Sequence, residues 1–237
     1  LSGRNFFELQ MMGAITQIGS LFLKSTDVSQ ALSKVINDTL LQQPGCLLVR
    51  WSLLYEDATK FRCFIDWDNI SNHELFLGSP SYQSFLDNLE PLVESSPQFF
   101  IVEFHPSPTP VLDNMGGKGK SPVAEVLYLH FPSDESLTAE MKNTATVNAE
   151  RFLTESAPSA KGCTGETAMG WITGSVEFNG ESCRALVVLV GWESLEAHRE
   201  YRSTDAFAES VSLLRGTPGM KGVSVVHVSL TTVKRND

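Results

Sequence analysis

Residues 185–214, ALVVLVGWESLEAHREYRSTDAFAESVSLL, decide the fold. An apolar run ends at Gly191-Trp192, a polar segment opens at Ser194, and Phe207, Val211 and Leu214 follow at helical spacing. This reads as strand, turn, helix, turn, helix. The same text stands earlier in looser form at residues 61–92, FRCFIDWDNISNHELFLGSPSYQSFLDNLEPL. There Trp67 takes the place of Trp192, Ser71 opens the polar segment, and Phe85, Leu89 and Leu92 carry the later stripe. One module is written twice.

Outward from these stretches, the first copy predicts a strand at ITQIGSLFL (15–23), a helix through Val28, Leu32, Ile36 and Leu40, and a break at Pro44-Gly45. A buried strand CLLVRWSLLY, a polar hairpin and a returning strand FRCFIDW come next, then the helical region 71–92 and a last strand FFIVEFH (99–105). That order, βαββαβ, is the ferredoxin-like split βαβ. In the second copy VAEVLYLHF (123–131) matches 15–23, a helix spans roughly 136–155, and Lys161-Gly162-Cys163 matches Pro44-Gly45-Cys46. The strand GETAMGWITG, a hairpin at Asn179-Gly180 and a last strand VSVVHVSL complete it, with an insertion in the central hairpin. Matched landmarks in one order argue against chance. The division is repeat 1 at 13–105, a Pro/Gly-rich linker at 106–122 and repeat 2 at 123–232. The GKGKS of the linker imitates a P-loop, but Asn114 occupies the first required glycine position and Pro122 stands where a helix must start. Residues 1–12 offer only Phe6, Phe7 and Leu9 as cover for a groove.

A ferredoxin-like module leaves one sheet face bare, and two such faces packed together bury both. The expected fold is therefore α+β: two βαββαβ repeats packed sheet to sheet as an intrachain pseudo-dimeric α/β barrel, monomeric or further paired as a homodimer. A formal net charge of −10 argues against nucleic acid and anionic membranes, and no apolar run reaches the ~18–20 residues of a membrane span. The four cysteines form no C-x-x-C pair, which points away from a metal site and toward a reduced, cytoplasmic setting.

The Pro44-Gly45-Cys46 strand opening and the W-E-S-x-E-A-H run from Trp192 to His198, with Ser203 and Phe207, resemble the antibiotic-biosynthesis-monooxygenase (ABM) group of dimeric α/β barrel proteins. The resemblance covers both repeats and is best in roughly the last 50 residues. It implies a cofactor-independent enzyme acting on an aromatic or polyketide-like small molecule in secondary metabolism, by monooxygenation or by cyclisation or decarboxylation. The haem-degrading branch of the group requires an axial ligand, and no residue here is nominated for it. The rival reading is a non-catalytic barrel that binds a small molecule or a protein.

Such chemistry needs a base and an apolar pocket. On the last strands Glu103 and His105 alternate with apolar residues, and His227 and Ser229 do the same in the second copy. His130, with Tyr128 on its face, replaces Phe22 of the first copy. The candidate bases are thus His227 and His130, with Glu103 and His105 beside them. Trp192, Trp171 and Trp51 are candidate aromatic walls. Arg50, a charge in an apolar strand, either pairs with an acid or reads a ligand carboxylate, and Glu166 is a further substrate contact. His198 reads as structural or helix-capping. The copies differ at most of these places, which favours one working site, in repeat 2. Convergence of His130, His227 and Glu166 on one cavity of about 300 Å3 or more favours an enzyme; scatter favours the binding barrel.

Overall fold

The structure, a computed structural model, describes residues 13–234; Phe6, Phe7 and Leu9 lie outside the described residues. Repeat 1 comprises β1 (Ile15–Phe22), α1 (Ser29–Leu40), β2 (Cys46–Leu53), β3 (Lys60–Trp67), α2 (Ile70–Leu77), α3 (Pro80–Leu89) and β4 (Gln98–Val102). Repeat 2 comprises β5 (Val123–Pro132), α4 (Ala139–Arg151), β6 (Cys163–Thr173), β7 (Val176–Phe178), β8 (Glu181–Trp192), α5 (Leu195–Arg202), α6 (Asp205–Arg215), β9 (Gly222–Val228) and β10 (Thr231–Lys234).

The matched turns have matched backbones. Gly45 and Gly162 both take positive φ, 79° and 82°, where a Cβ would be strained. Their carbonyls accept from Asp68 N and Glu193 N, each at 2.8 Å. Pro80, which has no N–H to donate, divides the helical region 71–92 into α2 and α3 by standing at the first position of the second helix. The long helix of repeat 2 starts at Ala139, where the Thr138 hydroxyl caps Met141 N, and ends in a π-helical turn at Phe152–Ser156. The extra hairpin strand of repeat 2 is β7, which pairs with β8.

All the pairings are antiparallel, in the order β10-β2-β3-β1-β4-β6-β8-β5-β9. Each repeat contributes the ferredoxin-like order. The repeats meet where β4 pairs with β6 and where β10 pairs with β2. Only Ser229 and Leu230 separate β9 from β10, so the chain leaving one end of the sheet begins the other and closes the barrel. Tyr55 N donating to His227 O and Ser229 N donating to Ser52 Oγ fasten this seam. The β4–β6 seam is close: a Cβ on Gly170 would lie 2.3 Å from Glu103 O.

Strand alternation sorts the side chains into an interior and two outer layers. Ile18, Phe64, Phe100, Val126, Val187 and Val228 meet inside the barrel. The intervening residues face the helices of their own repeat, around Trp67 and Trp192. The segment 106–122 is more than a tether. Val111 and Leu112 are fully buried in the barrel interior, and the buried Asn114 amide holds Leu230 N, Val111 O and Ser121 O.

Arg50, 1% exposed, donates to Asp66 at 2.8 Å and, from this segment, Asp113 at 3.0 Å. Of the two roles open to it, the structure gives the ion pair. Removing one partner of a buried pair leaves an uncompensated charge, which costs roughly 3–5 kcal/mol. Arg50→Ala is expected to lower Tm by about 10 °C. Thermal unfolding checks this, with Asp113→Asn, whose carboxylate is half exposed, losing much less.

Candidate active site

Glu125 is the anomaly in β5. The strand reads V-A-E-V-L-Y-L-H-F, and Glu125 falls on the helix-facing side with Val123, Leu127 and Leu129. It is 5% exposed. Its Oε2 accepts from Trp192 Nε1 at 3.0 Å, and its Oε1 lies 3.4 Å from His198 Nε2. Ser194 caps α5 by accepting from Ala197 N, so His198 is free of that task. The i, i+3 spacing of His198 and Tyr201 turns both inward against Trp192. His198 Nδ1 contacts His227 Nε2 at 2.7 Å. His227 Nδ1 contacts Glu56 Oε1 at 2.5 Å, and His227 N donates to Glu56 Oε2 at 3.1 Å.

These contacts form one row: Trp192, Glu125, His198, His227, Glu56. It begins in the helix–sheet layer of repeat 2 and ends at a carboxylate of repeat 1 that is 42% exposed. The hydrogen bonds can all run one way. His227 Nδ1–H donates to Glu56 and His198 Nδ1–H donates to His227 Nε2, while a protonated Glu125 faces His198 Nε2 across 3.4 Å, a gap that must shorten for a proton to cross it. Burial pushes the Glu125 carboxyl up to about 7, against the smaller opposing effects of the Trp192 N–H and the Arg202 charge. Burial also pushes His198 down to about 3, helped by His227 and Arg202. Near neutral pH, His198 is therefore uncharged and Glu125 is poised between its two forms, the pKa that suits a general base.

Glu125, His198 and Trp192 line a cavity of about 230 Å3, walled by apolar residues that include Leu127, Phe152, Phe207 and Val225. Repeat 1 has a pocket of its own at the matching surface, about 570 Å3, where Tyr82 and Leu86 stand for Phe207 and Val211, but its interior packing differs. From Trp67 to Leu89 the first copy aligns without a gap on Trp192 to Leu214. Phe85 therefore occupies the place of Ser210 and packs its ring on Phe76 and Tyr82. In repeat 2 the small Ser210 instead bonds Tyr201 Oη at 2.8 Å. The polar residues diverge in the same way. Gln17 replaces Glu125 and accepts from Trp67 Nε1 at 3.3 Å, and His73 replaces His198 with neither ring nitrogen bonded. Glu103 replaces His227 and is exposed.

One nitrogen or oxygen from each of Glu125, His198 and His227 lies within 4.8 Å of the others, so the three could hold a metal ion. The fit is incomplete: both His198 nitrogens already face partners, and His198 Nδ1 and His227 Nε2 point at each other at hydrogen-bond distance.

The residues expected from the sequence are distributed as follows. His227 and Trp192 join the row. His130, His227 and Glu166 do not converge on one cavity, an outcome that by itself favours the binding barrel, so the enzyme reading rests on Glu125 and not on these three. His130 and Tyr128 face the barrel interior, and Glu166 accepts from Ser121 Oγ at 2.6 Å. Glu103 and His105 lie beyond the end of β4 and are exposed, His105 still bridging Met169 by its backbone, and neither lines the Glu125 cavity. Trp171 donates to Thr146 and packs on Phe131, while Trp51 stacks on Phe61 in repeat 1. The sequence reading leaves out Glu125 and Glu56 and gives His198 a structural or helix-capping role, of which Ser194 takes the capping. The signal for Glu125 was available: it is a lone charge in an apolar strand, as Arg50 is.

Residues 24–88 match the family described as antibiotic biosynthesis monooxygenase. No curated protein matches the chain. An anthrone oxidase-like protein of known structure superposes with TM-score 0.66 at 14% identity, over 96% of this chain and 95% of that one. A candidate monooxygenase from Lactobacillus acidophilus NCFM gives TM-score 0.55 at 13% identity, over 94% and 97%. One from Fusobacterium nucleatum subsp. nucleatum ATCC 25586 gives 0.54 at 9%, over 95% and 96%. The resemblance to the ABM group is borne out, and these near-complete superpositions fit a tandem pseudo-dimer of that fold.

Proposed function

We propose that the chain is an enzyme of the ABM barrel type that uses Glu125 as a general base on a compact, apolar, one- or two-ring C–H or O–H acid. The observation that carries this reading is the row of contacts from buried Glu125 through His198 and His227 to Glu56, opening on an apolar cavity. The cavity lies just under the ~300–1,000 Å3 usual for ligand sites, which sets the size of the substrate.

In the proposed cycle, ionised Glu125 takes a proton from the substrate. That proton then passes to His198 Nε2 while His198 Nδ1–H moves to His227 and His227 Nδ1–H moves to Glu56. Glu125 is again a carboxylate, each imidazole now carries its proton on Nε2, and both rings return to the Nδ1–H tautomer before the next turnover. Glu56 releases the proton to water. The substrate anion, held among apolar walls, can react with dioxygen: a CH2 carbon becomes C=O, the second oxygen atom leaves as water, and the substrate supplies all the electrons. Cyclisation or decarboxylation needs the same base. A likeness in fold to an anthrone oxidase-like protein supports the oxygenation branch.

Incubating the protein with activated phenols and cyclic ketones in D2O separates the branches. Catalysed exchange of the acidic proton without oxygen, together with oxygen uptake in air, is expected for an oxygenase. Exchange alone indicates non-oxidative chemistry. Saturable binding with neither exchange nor uptake favours the binding barrel and contradicts the proposal.

The second reading is a metal centre on Glu125, His198 and His227, favoured by their spacing and by Glu56 on the far nitrogen of His227, an outer contact typical of ligating histidines. The relay reading predicts exchange activity that survives exhaustive chelation, with far less than one metal ion per chain by elemental analysis. Stoichiometric zinc or iron whose removal abolishes activity would transfer the site to the metal reading.

A further inference from the structure

The buried part of the Glu125 cavity is lined by Glu125, Trp192 and His198, and its exposed part by two cations. Arg202 ends α5 and Arg215 ends α6. Among the described residues no carboxylate forms an ion pair with either. The Arg202 guanidinium stands 5.9 Å from the centre of the Phe207 ring, which is itself a wall of the cavity. Its charge also reaches the row of contacts. After burial, which raises Glu125 and lowers His198 most strongly, Arg202 pulls the pKa of both groups down.

Repeat 1 shows that the fold does not require these arginines. The gapless alignment of Trp67 on Trp192 sets Leu77 against Arg202 and, one step past Leu89, Glu90 against Arg215. The matching pocket of repeat 1 is lined by Glu90 with Asp87 and Glu94, and by no lysine or arginine. The two copies therefore share the helix pair and oppose each other in the sign of its entrance. Glu125 is the one carboxylate that lines the cavity of repeat 2. Two permanent cations outweigh it in either of its forms, so this lining is positive in a chain whose formal net charge is −10.

We propose, resting on the reading of this cavity as the active site, that its substrate is an aromatic acid whose carboxylate pairs with Arg202 and Arg215 while the ring lies among the apolar walls and the acidic C–H or O–H meets Glu125. A guanidinium presents a planar fork that matches a carboxylate with two parallel hydrogen bonds. Holding the ring at both ends fixes which of its protons faces Glu125, and orientation of this kind is a large part of catalysis. It also keeps the negative charge of the ligand at the exposed side, away from the carboxylate that must ionise.

Calorimetric binding of 4-hydroxyphenylacetate and 6-hydroxy-2-naphthoate, each against its neutral amide, tests this. At least one acid is expected to bind roughly tenfold or more tighter than its amide, with an advantage that shrinks in high salt. A double variant, Arg202→Leu with Arg215→Glu, rebuilds the entrance that repeat 1 already carries as Leu77 and Glu90. It should lose the acid's advantage and bind the amide within about twofold of the parent. Arg202→Lys, which keeps the charge and loses the fork, should fall between the two. Equal affinity for acid and amide in the parent, or no binding of any of the four probes, overturns the proposal. So does an acid advantage that survives in the double variant, and so does an equal loss of both probes there, which would assign the arginine stems to packing. Exchange of the acidic proton judges Glu125 separately. Exchange on neutral phenols without an acid advantage keeps the base and loses the anion site, and an acid advantage without exchange does the reverse.

Discussion

Glu125→Gln is expected to abolish proton exchange and, at the same time, to stabilise the protein at alkaline pH. The amide is a close isostere of the protonated acid: its oxygen can accept from Trp192 and its NH2 can donate to His198, so the row keeps its shape and loses its base. Removal of a general base of this kind costs typically 10²–10⁴-fold in rate. The stability gain follows from linkage. Burial raises the Glu125 pKa from 4.5 to about 7, so the folded state holds the proton more tightly than the unfolded chain. The resulting stability is full below pH 4.5 and is lost as pH rises through about 7. The loss is on the order of 3 kcal/mol above that window. The amide in the Glu125→Gln variant has nothing to ionise. Thermal unfolding should therefore show the variant about 5–10 °C above the parent at pH 8.5, with the difference vanishing near pH 4. A variant that is inactive but equally stable at every pH would mean that Glu125 is charged in the folded state throughout.

Filling the cavity is expected to separate the fold from the function. Ser210→Phe places in repeat 2 the ring that repeat 1 carries as Phe85, where it packs against Phe76 and Tyr82. Tyr201 and Phe207 already occupy the corresponding places, so the ring has a ready bed at an overpacking cost of about 1–3 kcal/mol. Ser210 stands behind the wall, and Tyr201 and Phe207, which the new ring would press on, both line the cavity, so the ring narrows it from that side. Affinity for any ligand of the parent protein is expected to fall at least about a hundredfold, read by calorimetry or by fluorescence from Trp192, while far-ultraviolet circular dichroism stays unchanged. Ser210→Ala, which removes the Tyr201 hydrogen bond but keeps the space, should bind nearly as the parent does. Equal losses in both variants would place the effect in the Tyr201 hydroxyl instead of the volume.

The fold was legible because its signals are local and repeated. The Pro44-Gly45 and Lys161-Gly162 turns, the tryptophans at equivalent strand ends and the helical stripes each have a short-range cause, and each occurs twice. The seam was less legible. Residues 231–234 carry little apolar patterning, and β10 exists because the partner edge of β2 lies open beside it. Residues 106–122 read as a linker because proline and glycine dominate them. Burial of Val111 and Leu112 depends on the barrel that they enter.

The proposed site was half legible. His227 stood out as a polar residue in an apolar strand, and the inequality of the repeats pointed to repeat 2. Partnership was invisible, since Glu56 and His227 lie 171 positions apart and meet only once the barrel closes. His198 was read from its helix, and helices outside a barrel suggest surface roles. Yet the helix–sheet layer, not the barrel interior, holds the Glu125 cavity, and the inner face of α5 lines it.

The central claim is a buried carboxyl titrating near neutrality at the end of a histidine relay, and infrared difference spectroscopy across a pH titration tests it most directly. A protonated-carboxyl band is expected that disappears with a midpoint near pH 7, is absent from Glu125→Gln and moves in His198→Gln. A protein whose carboxyl bands have all disappeared by about pH 5, the range of ordinary Asp and Glu side chains, would contradict it.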